Sequence, residues 1–133
     1  MQVKTFGVAF ICAVIMALAM PAAAHHSHGN YDISTWTNME GVVKQIVLIN
    51  PHSIIYLDVK DEKTGETVTW SVEATNPRGI FANGVKREDV KAGDRIKVRC
   101  HLLRDGTRGC LLGFVTPDHG DMARGHGVER EWD

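Results

Sequence analysis

From Glu40 onward the apolar residues recur in short blocks and in the two-residue alternation of β-strands. Val42, Val43 and Ile46 to Ile49 form a β-rich segment that stops at Asn50-Pro51, a turn signal. Residues 54–59 predict a second strand with Ile55, Leu57 and Val59 on one face, and Asp61-Glu62-Lys63-Thr64-Gly65 supplies a polar hairpin turn. From Thr67 to Glu73 the alternation is clean, with Val68, Trp70 and Val72 inward and Thr67, Thr69, Ser71 and Glu73 outward. Asn76 and Pro77 then read as the N-cap and first residue of a short helix that stops at Asn83-Gly84, with Ile80 and Phe81 as its apolar anchors. Residues 85–92 carry a second short helix-compatible pattern, closed by Gly93-Asp94. A fourth strand puts Ile96, Val98, Cys100 and Leu102 on one face and Lys97, Arg99 and His101 on the other. Beyond a turn at Arg104-Asp105-Gly106, Cys110, Leu112 and Phe114 resume the inward face.

Three strands, a short helix and a two-stranded hairpin is the order of a small five-stranded OB-like antiparallel barrel, so the fold class is all-β with one or two short helices. Closure removes the exposed edges that a small exported domain must avoid; an open five-stranded sheet or sandwich is the competing architecture. Residues 40–117 form this β domain, residues 25–39 a polar His-rich arm lying across it, and residues 118–133 a flexible tail rich in Gly and charge. A three-residue turn at Arg104-Asp105-Gly106 pairs Leu103 with Thr107. It thereby sets Cys100 opposite Cys110, Val98 opposite Leu112 and Ile96 opposite Phe114. In an oxidising compartment that register predicts a Cys100–Cys110 disulfide, the alternative being two buried thiols. The spacing is not Cys-x-x-Cys, which argues against a redox-active pair.

The first 24 residues look like an export signal. Lys4 supplies the positive charge, residues 6–20 form a 15-residue run without a charged side chain, and Pro21 ends it. Ala22 and Ala24 fit the small-residue rule for signal peptidase. A membrane span needs about 20 apolar residues, so the reading is a cleaved signal with no span left after processing. Cys12 lacks the small-residue setting of a lipoprotein box. The expected location is the periplasm, and the mature chain, residues 25–133, suits one small domain. The formal net charge of the full chain is −1, and losing Lys4 makes it more negative. Neither charge nor location suits a nucleic-acid partner.

Cleavage after Ala24 would put His25 at the terminus, its free α-amine beside the imidazoles of His25, His26 and His28. A terminal histidine chelates through amine and ring nitrogen, as in a copper-binding histidine brace, and His26 or His28 adds a further imidazole. Such ligands suit copper, zinc and nickel, with copper tightest. Cleavage one residue earlier would instead make His26 the third residue, where it helps form an amino-terminal copper or nickel chelate. His52, in the Asn50-Pro51-His52 turn, is the fourth candidate ligand, and Glu73 and Asp32 are candidate carboxylates around it. The competing readings are a polar arm that happens to be histidine-rich, a locally bonded turn histidine and two exposed acids. His119, Met122 and His126 read as part of a solvated tail, Trp70 as core, and Trp36 and Trp132 carry no role in the pattern.

The combination His25-His26-Ser27-His28, Tyr31-Asp32, Asn50-Pro51-His52, Trp70-Ser71-Val72-Glu73 and Gly93-Asp94 resembles an exported bacterial family known only as a domain of unknown function. Its members similarly begin with a signal peptide and a His-His-Ser motif, followed by an Asn-Pro-His turn. The resemblance covers about residues 25–117, implies export and a small β domain, and leaves mechanism to the residues. The leading functional expectation is a small exported metal-binding protein, a periplasmic copper or zinc carrier, buffer or accessory. The alternative is a non-metal module binding a small molecule or a periplasmic protein partner at the rim formed by Asn50-Pro51-His52 and Arg104-Asp105-Gly106. No nucleotide loop, nucleophile elbow or closely spaced carboxylate pair stands in an active-site context, so the chain does not read as an enzyme. A histidine-brace copper oxidase is the minor alternative, with neither substrate contacts nor an axial ligand identifiable.

Overall fold

Strand β1 (Thr37–Val47) runs antiparallel to both β2 (Ser53–Lys60) and β4 (Arg95–Leu102), while β3 (Thr67–Ala74) pairs with β2 and β5 (Gly109–Pro117) with β4. A parallel contact of Ser71, Val72 and Glu73 with Gly109, Cys110 and Leu111 joins β3 to β5. It closes the five strands into the small all-β barrel that the pattern predicts. This is a computed structural model and describes residues 28–133; the segment read as a signal, His25 and His26 lie outside the described residues. Among the described residues no helix is long and apolar enough to cross a membrane.

The inward faces build the core as the alternation requires: Val43, Ile55, Leu57, Val72, Ile96, Val98, Cys100, Cys110 and Leu112 are all buried. Trp70 and Val59 pack against this core while staying partly exposed. Helix α1 (Pro77–Ala82) begins where Asn76 and Pro77 place it, the Asn76 side chain accepting a hydrogen bond from the Gly79 N–H at 3.0 Å. Its one buried residue is Ile80. Phe81, expected as a second anchor, is 37 % exposed beneath the Arg87 guanidinium, because successive helical residues point about 100° apart and only one can face the barrel. Residues 85–92 form turns rather than a second helix. The Asp89 carboxylate accepts from the Lys86 N–H and Asp94 from the Lys91 N–H, each at 2.8 Å, local bonds that compete with helical ones.

The β4–β5 hairpin departs from the expected register. Leu103 donates to the Gly109 carbonyl, and the Asp105 carboxylate accepts from both the backbone and the hydroxyl of Thr107, so the turn is longer than three residues. Leu102 therefore faces Cys110 and Cys100 faces Leu112. An irregularity between Arg99 and Cys100 then sets Arg99 opposite Phe114 and Val98 opposite Val115, so Val115 is buried and Phe114 only partly so. The disulfide between Cys100 and Cys110 is formed, diagonally, with Cα atoms 5.7 Å apart.

Residues 118–133, expected as a flexible tail, instead pack on the barrel. Their 3-10 turn (Met122–Arg124) is pinned by Arg124, which pairs with Asp94 and donates to the Glu88 carbonyl. Strand β6 (Arg130–Glu131) then pairs with Phe114 and Val115 of β5. The cause is topological. The β3–β5 contact ends at Glu73 and Leu111, leaving the rest of β5 with an open edge that β6 covers.

Candidate functional site

Three segments singled out in the sequence meet at one point on the barrel. His52 leaves the Asn50-Pro51 turn, whose peptide bond is cis, just before β2 begins. Glu73 stands on the outward face of β3, paired in register with Ile54 of β2. The His52 Nδ1 lies 3.0 Å from Glu73 Oε1, with the two side chains 31 % and 34 % exposed. The other carboxylate oxygen, Oε2, accepts the Tyr31 hydroxyl at 2.8 Å. One carboxylate thus joins the turn histidine to the N-terminal arm. The Glu73 carboxylate thereby fixes the orientation of the imidazole ring.

Tyr31 is held there by backbone. The arm forms a bridge with Leu103 at Tyr31. The Asp32 N–H donates to the Leu102 carbonyl and the Arg104 N–H to the Asn30 carbonyl, both at 2.8 Å. The Arg104 guanidinium adds a bond to the Tyr31 carbonyl at 3.1 Å. Burial, then the hydrogen bond to Glu73 and its negative charge, push the Tyr31 hydroxyl well above the usual phenol range. His28 is exposed in a 3-10 turn (His28–Asn30) whose carbonyl accepts the Tyr31 N–H at 2.9 Å. It therefore sits within one turn of the tyrosine that reaches Glu73.

The other residues considered for ligation fare differently. The Asp32 carboxylate accepts from the hydroxyl and N–H of Ser34 at 2.5 and 3.2 Å, which hold it below the usual carboxylate range and shape the arm. His119 takes the Asp121 N–H on Nδ1 and faces the Asp89 carbonyl with Nε2, while His126 accepts from the Gly120 N–H. These two imidazoles shape the C-terminal segment. Among the described residues no group of three or more His, Cys, Asp or Glu side chains is placed to hold a metal ion. His52 and Glu73 are brought together; His28 does not join them in such a group, and His25 and His26 lie outside the described residues.

In the sequence Tyr31 stands out only as part of the Tyr31-Asp32 motif, with no role attached, and the signal that could find its part is faint: a hydroxyl-bearing ring in a mostly polar arm. It also misses the clasp at the arm's other end. Trp36 lies over His101 with ring centroids 3.9 Å apart, and the Arg99 guanidinium sits 4.3 Å from the Phe114 ring while pairing with Glu129. Away from the site, a cavity of about 420 Å³ opens at a barrel end lined by Met39, Val59, Val68, Trp70 and Leu102. A groove of about 590 Å³ carries charges of both signs, among them Glu40, Lys60, Lys97 and Arg99. Neither includes His52, Glu73 or Tyr31.

Comparison with protein-family models matches residues 13–112 to a family of unknown function, DUF6152. No curated protein and no solved structure matches the chain.

Proposed function

The chain belongs to DUF6152, a family of unknown function, and from that premise we propose that it is a small exported metal-binding protein of the periplasm, a carrier, buffer or accessory for copper or zinc. The observation that carries this reading is the Glu73 carboxylate on His52 Nδ1, with Tyr31 of the histidine-bearing arm on its other oxygen. Glu73 fixes the orientation of the ring, as carboxylates do behind metal-binding imidazoles. The arm supplies the remaining donors: the α-amine and ring of His25 once the signal is removed, and the ring of His26 or His28. Five residues lie between His25 and Tyr31, so the terminal histidine is close in sequence to the point where Tyr31 anchors the arm on Glu73. Copper binds most tightly to such nitrogen donors unless geometry intervenes.

The test is an untagged, exported preparation. Native mass spectrometry reads the processed terminus and bound metal together, and calorimetry against competing chelators reads affinity. The expected outcome is a mature chain starting at His25 that binds Cu(II) more tightly than Zn(II), with affinity falling on acidification because the imidazoles must lose protons to coordinate. His25→Ala and His52→Ala weaken binding, and His126→Ala leaves it unchanged. Equal binding by the parent and His25→Ala rejects the terminal-histidine mechanism. Binding no better than buffer background rejects the metal reading in favour of a module that recognises a non-metal ligand at the rim.

A further inference from the structure

We propose that the end of the barrel away from helix α1 binds a small amphipathic carboxylate. The ligand's apolar body lies in the cavity there and its carboxylate meets Arg108 and Lys63. The two ends of the barrel are finished differently. Where β3 runs into α1, the core is sealed by Ile80, Val85 and Val90, all buried. At the other end Met39, Val59, Val68, Trp70 and Leu102 continue the inward alternation of their strands, yet each stays partly exposed. They line the cavity of about 420 Å³. Small-molecule sites are clefts of about 300–1,000 Å³, lined mainly by apolar side chains with a few polar groups that fix orientation.

The opening has a topological cause. Strand β3 meets β5 only from Ser71 to Glu73, so among the described residues the first half of β3 has no strand on that side. The Ser71 N–H donates to the Arg108 carbonyl at 3.0 Å, which holds Arg108 at the lip of the opening. The rim carries Asp61, Glu62, Lys63 and Arg108. The Asp61 carboxylate is taken up by its own turn, accepting from the Lys63 N–H at 2.8 Å and the Thr64 N–H at 3.2 Å. Those bonds first, then the Lys63 and Arg108 charges, hold it below the usual carboxylate range. Glu62 also borders the adjoining groove, together with Lys60 and Arg95. Among the described residues neither the Lys63 ammonium nor the Arg108 guanidinium is engaged in an ion pair or hydrogen bond. Two such cations at the mouth of an apolar cavity match a ligand with an apolar body and one anionic end. A guanidinium takes a carboxylate through two parallel bonds, and the Trp70 ring offers the body a flat apolar wall. The site stands apart from the metal-binding reading, since His52, Glu73 and Tyr31 do not line it.

The test titrates the untagged protein with decanoate, below its micelle-forming concentration, and with decan-1-ol, which has the same chain without the charge. Decanoate should quench Trp70 emission saturably and bind about 10-fold more tightly than the alcohol, the usual worth of a hydrogen bond to a charged group. The quenching should persist in Trp36→Phe and disappear in Trp70→Phe. A double variant, Lys63→Gln with Arg108→Gln, changes only exposed positions and should bind the two probes equally. Val68→Asp should lose both probes, with far-UV circular dichroism reporting whether the barrel is intact; should that variant fail to fold, the rim variant carries the test. The proposal is overturned if the parent shows no saturable binding of decanoate, if it binds the alcohol as tightly as the acid, or if the rim variant keeps the parent's preference.

Discussion

The backbone N–H of Trp132 donates to the carbonyl of Gly113 at 2.8 Å, and the indole is 3 % exposed in the core. The Trp132 carbonyl in turn accepts from Thr75, just past the end of β3, so one residue bridges the gap between β3 and the unpaired half of β5. Trp132→Ala should therefore lower stability by about 3–5 kcal/mol, the usual loss for a buried aromatic. Trp36→Ala, at a site 46 % exposed, should cost much less. Urea unfolding of the two variants gives the comparison, and equal losses would contradict the assigned part of the C-terminal segment in closing the barrel.

Two glycines stand where a side chain would collide, and the physics ranks them. A Cβ on Gly41 would overlap the Asp58 backbone carbonyl in the barrel wall. A Cβ on Gly113 would meet Trp36 ring carbons at 2.5 and 2.6 Å, and that ring is half-exposed, so it can give way more readily than backbone at the cost of its stacking on His101. Overpacking costs about 1–3 kcal/mol; Gly41→Ala should fall at the upper end and Gly113→Ala at the lower. In a double-mutant cycle, Trp36→Ala should relieve the cost of Gly113→Ala and leave that of Gly41→Ala unchanged.

The legible features of this chain are those in which local chemistry and the global fold agree. Asn76 and Pro77 start the helix because capping is a short-range event. Ile55, Leu57 and Val72 are inward because alternation is a property of the strand itself. The hairpin register is harder to read, since it depends on how Asp105 bonds to Thr107 and on an irregularity at Arg99 that no period announces. The C-terminal segment reads as a tail because Trp132 is its one large aromatic and its other anchors, such as Arg124 on Asp94, join residues far apart in sequence; the need it meets arises on β5, well upstream. Within the site, His52 and Glu73 are readable as candidates by residue type. Their contact with each other, and that of Tyr31 with Glu73, exist only once β2, β3 and the arm are assembled.

Both Cys100 and Cys110 are fully buried, and their bond closes a loop with a sequence separation of 10. Loop closure of that length stabilises by about 2–3 kcal/mol in the chain-entropy account. Reduced protein should show a loss of that size in urea unfolding, and the bond should resist reductant under native conditions until the barrel opens. Peptide mapping after thiol blocking should recover the linked pair, and two freely alkylated cysteines would show the bond absent.

Tyr31 sets the behaviour of the arm at high pH. Its hydroxyl is raised above the ordinary value of 10.0, first by burial, then by its bond to Glu73 and by that carboxylate's charge. As pH rises through about 10, the unfolded chain therefore loses the phenolic proton before the folded one does. The unfolded state then holds fewer protons, so stability declines with rising pH; the contribution is complete below that value and lost above it. Spectroscopic titration of tyrosinate should show a late component in native protein that is missing in Tyr31→Phe, and Tyr31→Phe should lose less stability than the parent between neutral and strongly alkaline pH. Glu73→Gln removes the charge while leaving an acceptor at the same place, so its late component should move to lower pH without disappearing. A parent protein whose tyrosines all titrate at the ordinary phenol value would show that Tyr31 does not rest on Glu73 in solution.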